Sequence, residues 1–136
     1  MSAVREAICK FLQADATGVM AVATDVYPKG APQGAIHPCV IVKAHRPPRG
    51  HYAFQELSAE DSIYMVTGVD EGTSPARAAN LKSLVRERLD EAEIEIDGYH
   101  TLLVSWMADV EYEETAPDGT KYQHEGGLYE VWAEPL

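Results

Sequence analysis

The stretch VSWMADVEYEETAPDGTKYQHEGGLYEVWAE, residues 104–134, predicts two paired strands and therefore a fold built on a β-sheet. Apolar and polar residues alternate through its first part, which is the period of a strand with one buried face. APDGT is a turn sequence, and the residues after it return as the partner strand. The residues predicted to share the apolar face of the first strand are Val104, Trp106, Ala108, Val110 and Tyr112.

A pair of glycines, Gly126 and Gly127, interrupts the second of these strands. Glycine inside a strand usually marks a bulge or a place where another backbone comes very close. A second chain pressing on the strand and a local kink in the hairpin explain the pair equally well.

The residues before the hairpin, TSPARAANLKSLVRERLDEA at 73–92, predict a helix. Ser74 or Thr73 can cap it, and Pro75 suits its first turn. EIEIDGYHTL, residues 93–102, predicts either a tight hairpin about Asp97-Gly98 or a plain loop.

The sequence begins with another amphipathic helix, SAVREAICKFLQAD at 2–15, for which Ser2 is the expected N-cap. TGVMAVA, residues 17–23, predicts a short helical continuation. DVYPKGAPQGAIHP, residues 25–38, then interrupts regular structure with its prolines and glycines.

Short strands are predicted next. CVIVKAH, residues 39–45, is rich in β-branched residues, and we expect RPPRGH to break that strand at Pro47. HYAFQEL and DSIYMVTGV predict two more strands, joined either around SAE or by a mobile loop. We expect the loop over residues 46–61 to be mobile until a partner fixes it. The order of elements predicts an α+β fold, with two main helices packed on one face of a largely antiparallel β-sheet, as a single domain over residues 1–136.

The charge of the chain is unevenly distributed. The net charge is -11, and residues 1–60 hold six Lys and Arg against five Asp and Glu, whereas residues 61–136 hold five against seventeen. Because affinity for a phosphate backbone comes from clustered Lys and Arg, conventional DNA binding is disfavoured.

The two cysteines, Cys9 and Cys39, have no metal-type spacing, and buried free thiols are favoured over a disulfide. Arg5, Glu6 and Lys10 interrupt the apolar core that a signal peptide needs, and the sequence contains no run of about 18 apolar residues. The sequence therefore predicts a protein that neither is exported nor spans a membrane.

The sequence carries no recognisable motif for a metal site, a catalytic nucleophile or a phosphate-binding loop. The five histidines lack the spacing of a metal site, Ser62 and Ser105 lack a nucleophile elbow, and the glycines match no phosphate-binding loop. The acidic run over residues 87–97 lacks the oxygen spacing of a calcium loop and predicts a solvated edge that faces a partner. We expect no catalytic residue, no cofactor and no metal.

Taken together, several segments resemble the tail terminator or tail-completion proteins of long-tailed bacteriophages. The similar segments are LQADATGVMAVATDVYP, APQGAIHPCVIV, the mid-chain helix ARAANLKSLVRERLD and the last strand YQHEGGLYEVWAE, and they cover nearly the whole chain.

The resemblance implies a structural virion protein of the tail or neck, assembled in the host cytoplasm. It implies a homo-oligomeric ring, typically of six copies, that caps the tail tube, ends tube growth and offers a docking surface to the head-side connector. DNA would pass through the ring only as cargo, and the acidic half of the chain would let it slide without sticking. Another neck component, such as a connector or stopper, and a small ligand-binding or enzymatic domain that uses Tyr and His in a cleft of the sheet remain alternatives.

Two groups of residues are predicted to make contacts in such an assembly. The densest positive group lies in the segment RPPRGHYAFQELSAED, and the predicted partner contacts are Arg46, Arg49, His51 and Phe54. The predicted acidic residues of the lumen or of a subunit interface are Asp70, Glu71, Glu93, Glu95 and Asp97.

Overall fold

The computed structural model describes residues 3–53 and 56–136, so Ser2 and Phe54, both named above, lie outside the described residues. The elements in chain order are α1 (Ala3–Gln13), α2 (Val19–Val22), β1 (Val26–Pro28), β2 (Cys39–Ala53), β3 (Glu56–Glu71), α3 (Ala76–Leu89), β4 (Glu93–Ile94), β5 (Tyr99–Thr115) and β6 (Lys121–Pro135).

The strands form one six-stranded sheet in the order β1-β2-β3-β6-β5-β4. Its strand pairs are antiparallel except for β1 with β2, which run parallel. The sheet makes up 50% of the chain and curls strongly into a half-barrel. One consequence of the curl is that α1 contacts β1 and β4, which are the two opposite edges of the sheet.

The predicted architecture of two main helices packed on one face of a sheet is wrong. Strand residues dominate the chain, and the sheet wraps around the helices instead of lying flat beneath them. α3 contacts the central strands β3 and β6, while α1 bridges the edges. The sequence pattern identified the helices but carried no local signal for the curvature, since twist accumulates over many strands.

The core fills the concave side of the sheet. Leu12 of α1 and Leu81 of α3 are fully buried there, together with Tyr64 and Tyr129 from the central strands. Gly68 lets α3 approach β3 closely, because a Cβ at that position would lie 2.5 Å from the Cβ of Leu81. We refer to this helix-covered side as the inner face and to the opposite side as the outer face.

The helix predictions are confirmed by α1, α2 and α3, with small differences at the start of α3. Its N-cap is Pro75, and the side chain of Ser74 accepts a hydrogen bond from the backbone N–H of Ala76 at 3.4 Å. The EIEIDGYHTL segment forms a short antiparallel pair between β4 and β5, joined by a loop in which Gly98 has a φ of 87°.

The prediction that RPPRGH breaks a strand at Pro47 is wrong, and so is the prediction of separate strands joined by a loop at 46–61. β2 continues to Ala53, and β3 begins at Glu56 and runs without interruption. Register shifts on either side of Arg46 absorb the prolines, and β1 pairs with β2 only as far as Val42. Proline is tolerated there because bulged and unpaired edges need no N–H donor.

The predicted apolar face of β5 is correct only in its first half. Val104 lies opposite Val131 and both are buried in the core, but a register shift between Trp106 and Ala108 inserts Met107 as an extra residue. Because side chains alternate with a period of two, one extra residue moves every later side chain to the other face. Ala108, Val110 and Tyr112 therefore lie on the outer face, where Tyr112 is 43% exposed.

The glycine pair marks a close backbone approach within the chain. A Cβ on Gly126 would lie 1.9 Å from the carbonyl oxygen of Val66 in β3, and one on Gly127 would lie 3.0 Å from the carbonyl oxygen of Ala108 in β5. Neighbouring strands on both sides thus explain the pair, without a second chain.

The prediction of two buried free thiols is confirmed. Burial is the main reason that the pKa of Cys9 and that of Cys39 are each raised to about 11. Both side chains therefore stay in the unreactive thiol form at neutral pH.

Candidate functional site

The β2-β3 arm is the first candidate surface, and we define it as residues 46–53 and 56–61. β6 pairs with β3 only as far as Glu60, so the tip of the arm extends past the rest of the sheet. Tyr52 is 69% exposed and Leu57 is 38% exposed on this tip. Large exposed apolar side chains on a projecting hairpin are typical of contact surfaces.

Three of the predicted partner-contact residues meet at the base of the arm, around the buried carboxylate of Asp61. Arg49 donates to both carboxylate oxygens, with Nε–Oδ1 at 2.9 Å and Nη2–Oδ2 at 3.2 Å. Arg46 Nη2 lies 3.1 Å from Oδ2, and His51 Nε2 lies 3.2 Å from Oδ1. The ring of His51 also packs on Trp132 at a centroid distance of 4.9 Å.

The positive group that the sequence indicated therefore shares one buried carboxylate, that of Asp61. The side chain of Asp61 has no exposed area, whereas those of Arg49 and His51 are 64% and 44% exposed. Hydrogen bonds from Arg49 and then Arg46 hold the pKa of Asp61 well below its usual range. The cluster fixes the base of the arm and still presents the outer sides of its cations to a partner.

We expect an Asp61→Asn variant to be less stable than the wild type at pH 7, because Arg46, Arg49 and His51 lose their shared carboxylate. A depressed pKa in the folded state contributes stability above the unfolded pKa of about 4, and this contribution is lost as the pH falls toward the folded value. Thermal unfolding from pH 7 to pH 2.5 should therefore show a difference between the two proteins that shrinks below about pH 4. Glu134→Gln, which removes an exposed carboxylate, is the control and should leave the unfolding temperature unchanged; a similar effect of both substitutions would contradict the assignment.

A cavity of about 530 Å³ on the outer face is the second candidate surface. Its cover is the segment 29–37, and its floor comes from β2, β3, β5 and β6. This is the proline- and glycine-rich segment that the sequence analysis described only as an interruption. His37 anchors the cover through a ring contact with Tyr122 at 5.2 Å.

The strand register sets two rows of side chains across the floor of this cavity. Glu71, Tyr122 and Glu114 lie side by side on β3, β6 and β5, and we call them the acidic row. In the neighbouring row His124 lies opposite Tyr112, and their rings stack at 4.3 Å and 9°. The cavity therefore gathers the Tyr and His side chains that the ligand-binding alternative requires.

The predicted acidic residues lie in three separate places. Asp70 is buried and points to the inner face, where Arg77 donates to it through two hydrogen bonds of 2.9 Å, so its carboxylate is not offered to a partner. Its neighbour Glu71 is exposed in the acidic row. Glu93, Glu95 and Asp97 line a shallow hollow of about 750 Å³ beside α1 at the β4 edge.

Further acidic residues on β5 were missed by the sequence analysis because the bulge at Met107 decides which way they point. Asp109, Glu111 and Glu113 all share the inner face of the hairpin. There Lys82 of α3 lies 3.7 Å from Asp109 and 4.0 Å from Glu125. Burial, followed by the neighbouring carboxyl of Glu111, raises the pKa of Glu125.

We expect Glu125→Gln to stabilise the protein at pH 7 by about 1 kcal/mol, because the neutral amide removes a carboxylate charge from a site where burial and the neighbouring Glu111 disfavour it. A raised folded pKa costs stability as the pH rises through it, so the gain should be absent below about pH 4 and complete near neutral pH. Urea denaturation across this range measures the difference. Glu87→Gln on the exposed side of α3 serves as the control and should give no gain; a loss of stability in Glu125→Gln would contradict the prediction.

Neither a metal site nor a membrane-spanning helix is found among the described residues. In the part of the chain that the structure describes, His, Cys, Asp and Glu side chains form no cluster of three suited to a metal ion. No helix within the described ranges combines the length and the apolar character needed to cross a bilayer.

The comparisons with known proteins show a similarity in fold to solved structures. Neither a protein-family model nor a curated protein matches the chain. A solved chain from a particle described as the virion of a native gene transfer agent (GTA) has a similar fold, with a TM-score of 0.71 and 16% sequence identity. The match covers 97% of this chain and 95% of that chain, so the two share the same fold over nearly their full lengths.

Proposed function

We propose that this chain is a structural protein of a phage-like particle. The observation that carries the proposal is the full-length fold similarity to a chain of a gene transfer agent virion, with coverage above nine-tenths on both sides. The segments that resemble tail-completion proteins point in the same direction.

Within such a particle, we assign the chain the role of a tail terminator. In this role copies of the chain form a ring, typically of six, that caps the tail tube, stops its growth and binds the head-side connector, while DNA passes through the lumen. The surplus of acidic residues in the second half of the chain supports this role, because a negative lumen does not retain DNA. The projecting β2-β3 arm, with Tyr52 and Leu57 exposed, provides a contact surface for a neighbouring copy.

Native mass spectrometry and electron microscopy, with and without the tail-tube protein of the same particle, test this role. We expect closed rings, either free or on the ends of tubes, and we expect tubes assembled with the protein to stop growing. Tyr52→Ser combined with Leu57→Ser should prevent ring formation without unfolding the monomer, whereas Ile36→Ser, at an exposed apolar residue outside the arm, should not. Absence of rings and of binding to tube ends would refute the terminator role. Binding to a connector but not to a tube would favour another neck component.

The second candidate function is a ligand-binding domain, which the cavity on the outer face favours. It encloses about 530 Å³ and brings Tyr112, Tyr122, His37 and His124 together. We rank it below the structural role for two reasons. The fold similarity to a virion chain extends over the whole chain. A cleft of this kind also suits a side chain of a partner protein. Retention of a small molecule through purification, detected by mass spectrometry of the denatured protein, would reverse this order.

A further inference from the structure

The outer-face cavity has opposite charges at its two ends. Lys43 lies in the same row as Met65, and Lys29 follows Pro28, which pairs with the neighbouring Val42. The acidic row begins with Glu71, six residues further along β3, which corresponds to roughly 20 Å of strand. The lysines are therefore well separated from the carboxylates, and the end of the cavity at the acidic row is negative.

The acidic row places an aromatic ring between two carboxylates. Tyr122 lies on the central strand with Glu71 on one side and Glu114 on the other, so the two acidic Cα atoms are about 10 Å apart. An aromatic face attracts a cation, and flanking carboxylates accept its hydrogen bonds. Burial and then the charges of Glu71, Asp118 and Glu114 raise the pKa of Tyr122, which agrees with a negative potential around this ring.

An unpartnered imidazole nitrogen is the second, independent feature of this end of the cavity. The side chain of His124 is only 7% exposed, and it lines the cavity. Its Nε2 lies 2.9 Å from Oε1 of Glu114, and a carboxylate can only accept, so Nε2 carries the hydrogen. The other ring nitrogen, Nδ1, is buried and has no hydrogen-bond partner among the described residues.

We propose that this end of the cavity binds an arginine side chain of a partner protein. The guanidinium would lie on the ring of Tyr122 and donate to Glu71 and Glu114, next to the buried imidazole of His124. Arginine fits better than lysine because its planar group stacks on a ring while its donors point outward in several directions. Binding of an arginine at this cavity does not depend on the position that the chain occupies in a particle.

The arginine has to come from another protein, because the arginines of this chain are already engaged. Arg46 and Arg49 bind Asp61, Arg77 binds Asp70, Arg86 lies over Trp106, Arg88 binds the carbonyl oxygen of Phe11, and Arg5 also has an interaction within the chain. In a second copy of the chain, each of these guanidinium groups already has a partner of its own.

The test is an NMR titration of protein labelled with 15N in its histidine rings. The probe is the blocked tripeptide acetyl-Gly-Arg-Gly-amide, and the matched control peptide carries citrulline, which has the shape of arginine without the charge. We expect the arginine peptide to shift the ring signals of His124 in a saturable way at concentrations up to about 20 mM, and the citrulline peptide to bind about tenfold more weakly or not at all.

Variants connect the binding to the named side chains. Glu71→Gln with Glu114→Gln and, separately, Tyr122→Leu should weaken the arginine peptide about tenfold, whereas Tyr122→Phe, which keeps the ring, should bind like the wild type. Far-UV circular dichroism establishes that each variant is folded. Equal binding of both peptides, no saturable shift, or unchanged binding in the double variant would overturn the proposal. The proposal would also be overturned if the wild type did not bind the arginine peptide and the double variant lost self-association, because the occupant would then be a second copy of the chain.

Discussion

A Gly126→Ala variant is expected to lose about 3 kcal/mol or more of its free energy of unfolding, a large share of the stability of a domain of this size. The added Cβ would lie 1.9 Å from the carbonyl oxygen of Val66 and 2.6 Å from the Cα of Thr67. Both atoms belong to the backbone of the central strand β3, so no side-chain rotation relieves the collision. β3 and β6 have to separate locally, and the loss falls at the centre of the sheet.

The measurement is urea denaturation followed by circular dichroism, with Gly30→Ala as the matched control. Apart from its two chain neighbours, no described residue lies within 4 Å of a Cβ built on Gly30, and its φ is not in the left-handed region. The control should therefore change the free energy of unfolding by no more than about 0.5 kcal/mol. Gly127→Ala, whose new Cβ has its closest contacts at 3.0 to 3.2 Å, should fall between the two. A Gly126→Ala protein as stable as the control would mean that β3 and β6 do not approach as closely as the structure has them.

The secondary structure of this chain was largely accessible from its sequence because local patterns determine it. The apolar stripes of α1 and α3 and the alternation in β6 each lie within one element. The curl of the sheet was not accessible in this way. Twist accumulates over many strands, and no single element carries it. The packing of α3 on β3 was equally hidden, because the sequence shows Gly68 without its partner Leu81.

The candidate surfaces also combine features that the sequence shows with contacts that only the strand register decides. Arg46, Arg49 and His51 were found as a group because they are close in sequence, but Asp61 was missed because the register of β2 against β3 decides which carboxylate meets them. The outer-face cavity depends on one bulge. If Met107 followed the regular alternation of the strand instead of being bulged, Tyr112 and Glu114 would point to the same face as Val104, and the acidic row would lose one of its two carboxylates.

A Leu12→Ala variant tests the curvature of the sheet, and we expect it to lose about 3 kcal/mol of its free energy of unfolding. Leu12 is fully buried near the end of α1, which contacts β1 at one edge of the sheet and β4 at the other. Weakening α1 should therefore speed amide hydrogen exchange in both edge strands together. In a flat sheet these strands would be separated by the other four, at about 4.8 Å per strand, and no single helix of this length would couple them so directly.

Leu81→Ala is the matched control for this experiment, because Leu81 is equally buried but packs against the central strands through α3. We expect a similar loss in the free energy of unfolding, but the faster exchange should appear first in β3 and β6. The comparison separates the effect of a cavity in the core from the effect of loosening the bridge between the edges. If Leu12→Ala speeds exchange at only one edge, α1 does not join the two edges and the half-barrel is more open than described. If both edges respond together, the helix closes the half-barrel, and the outer face with its cavity owes its shape to the same contact.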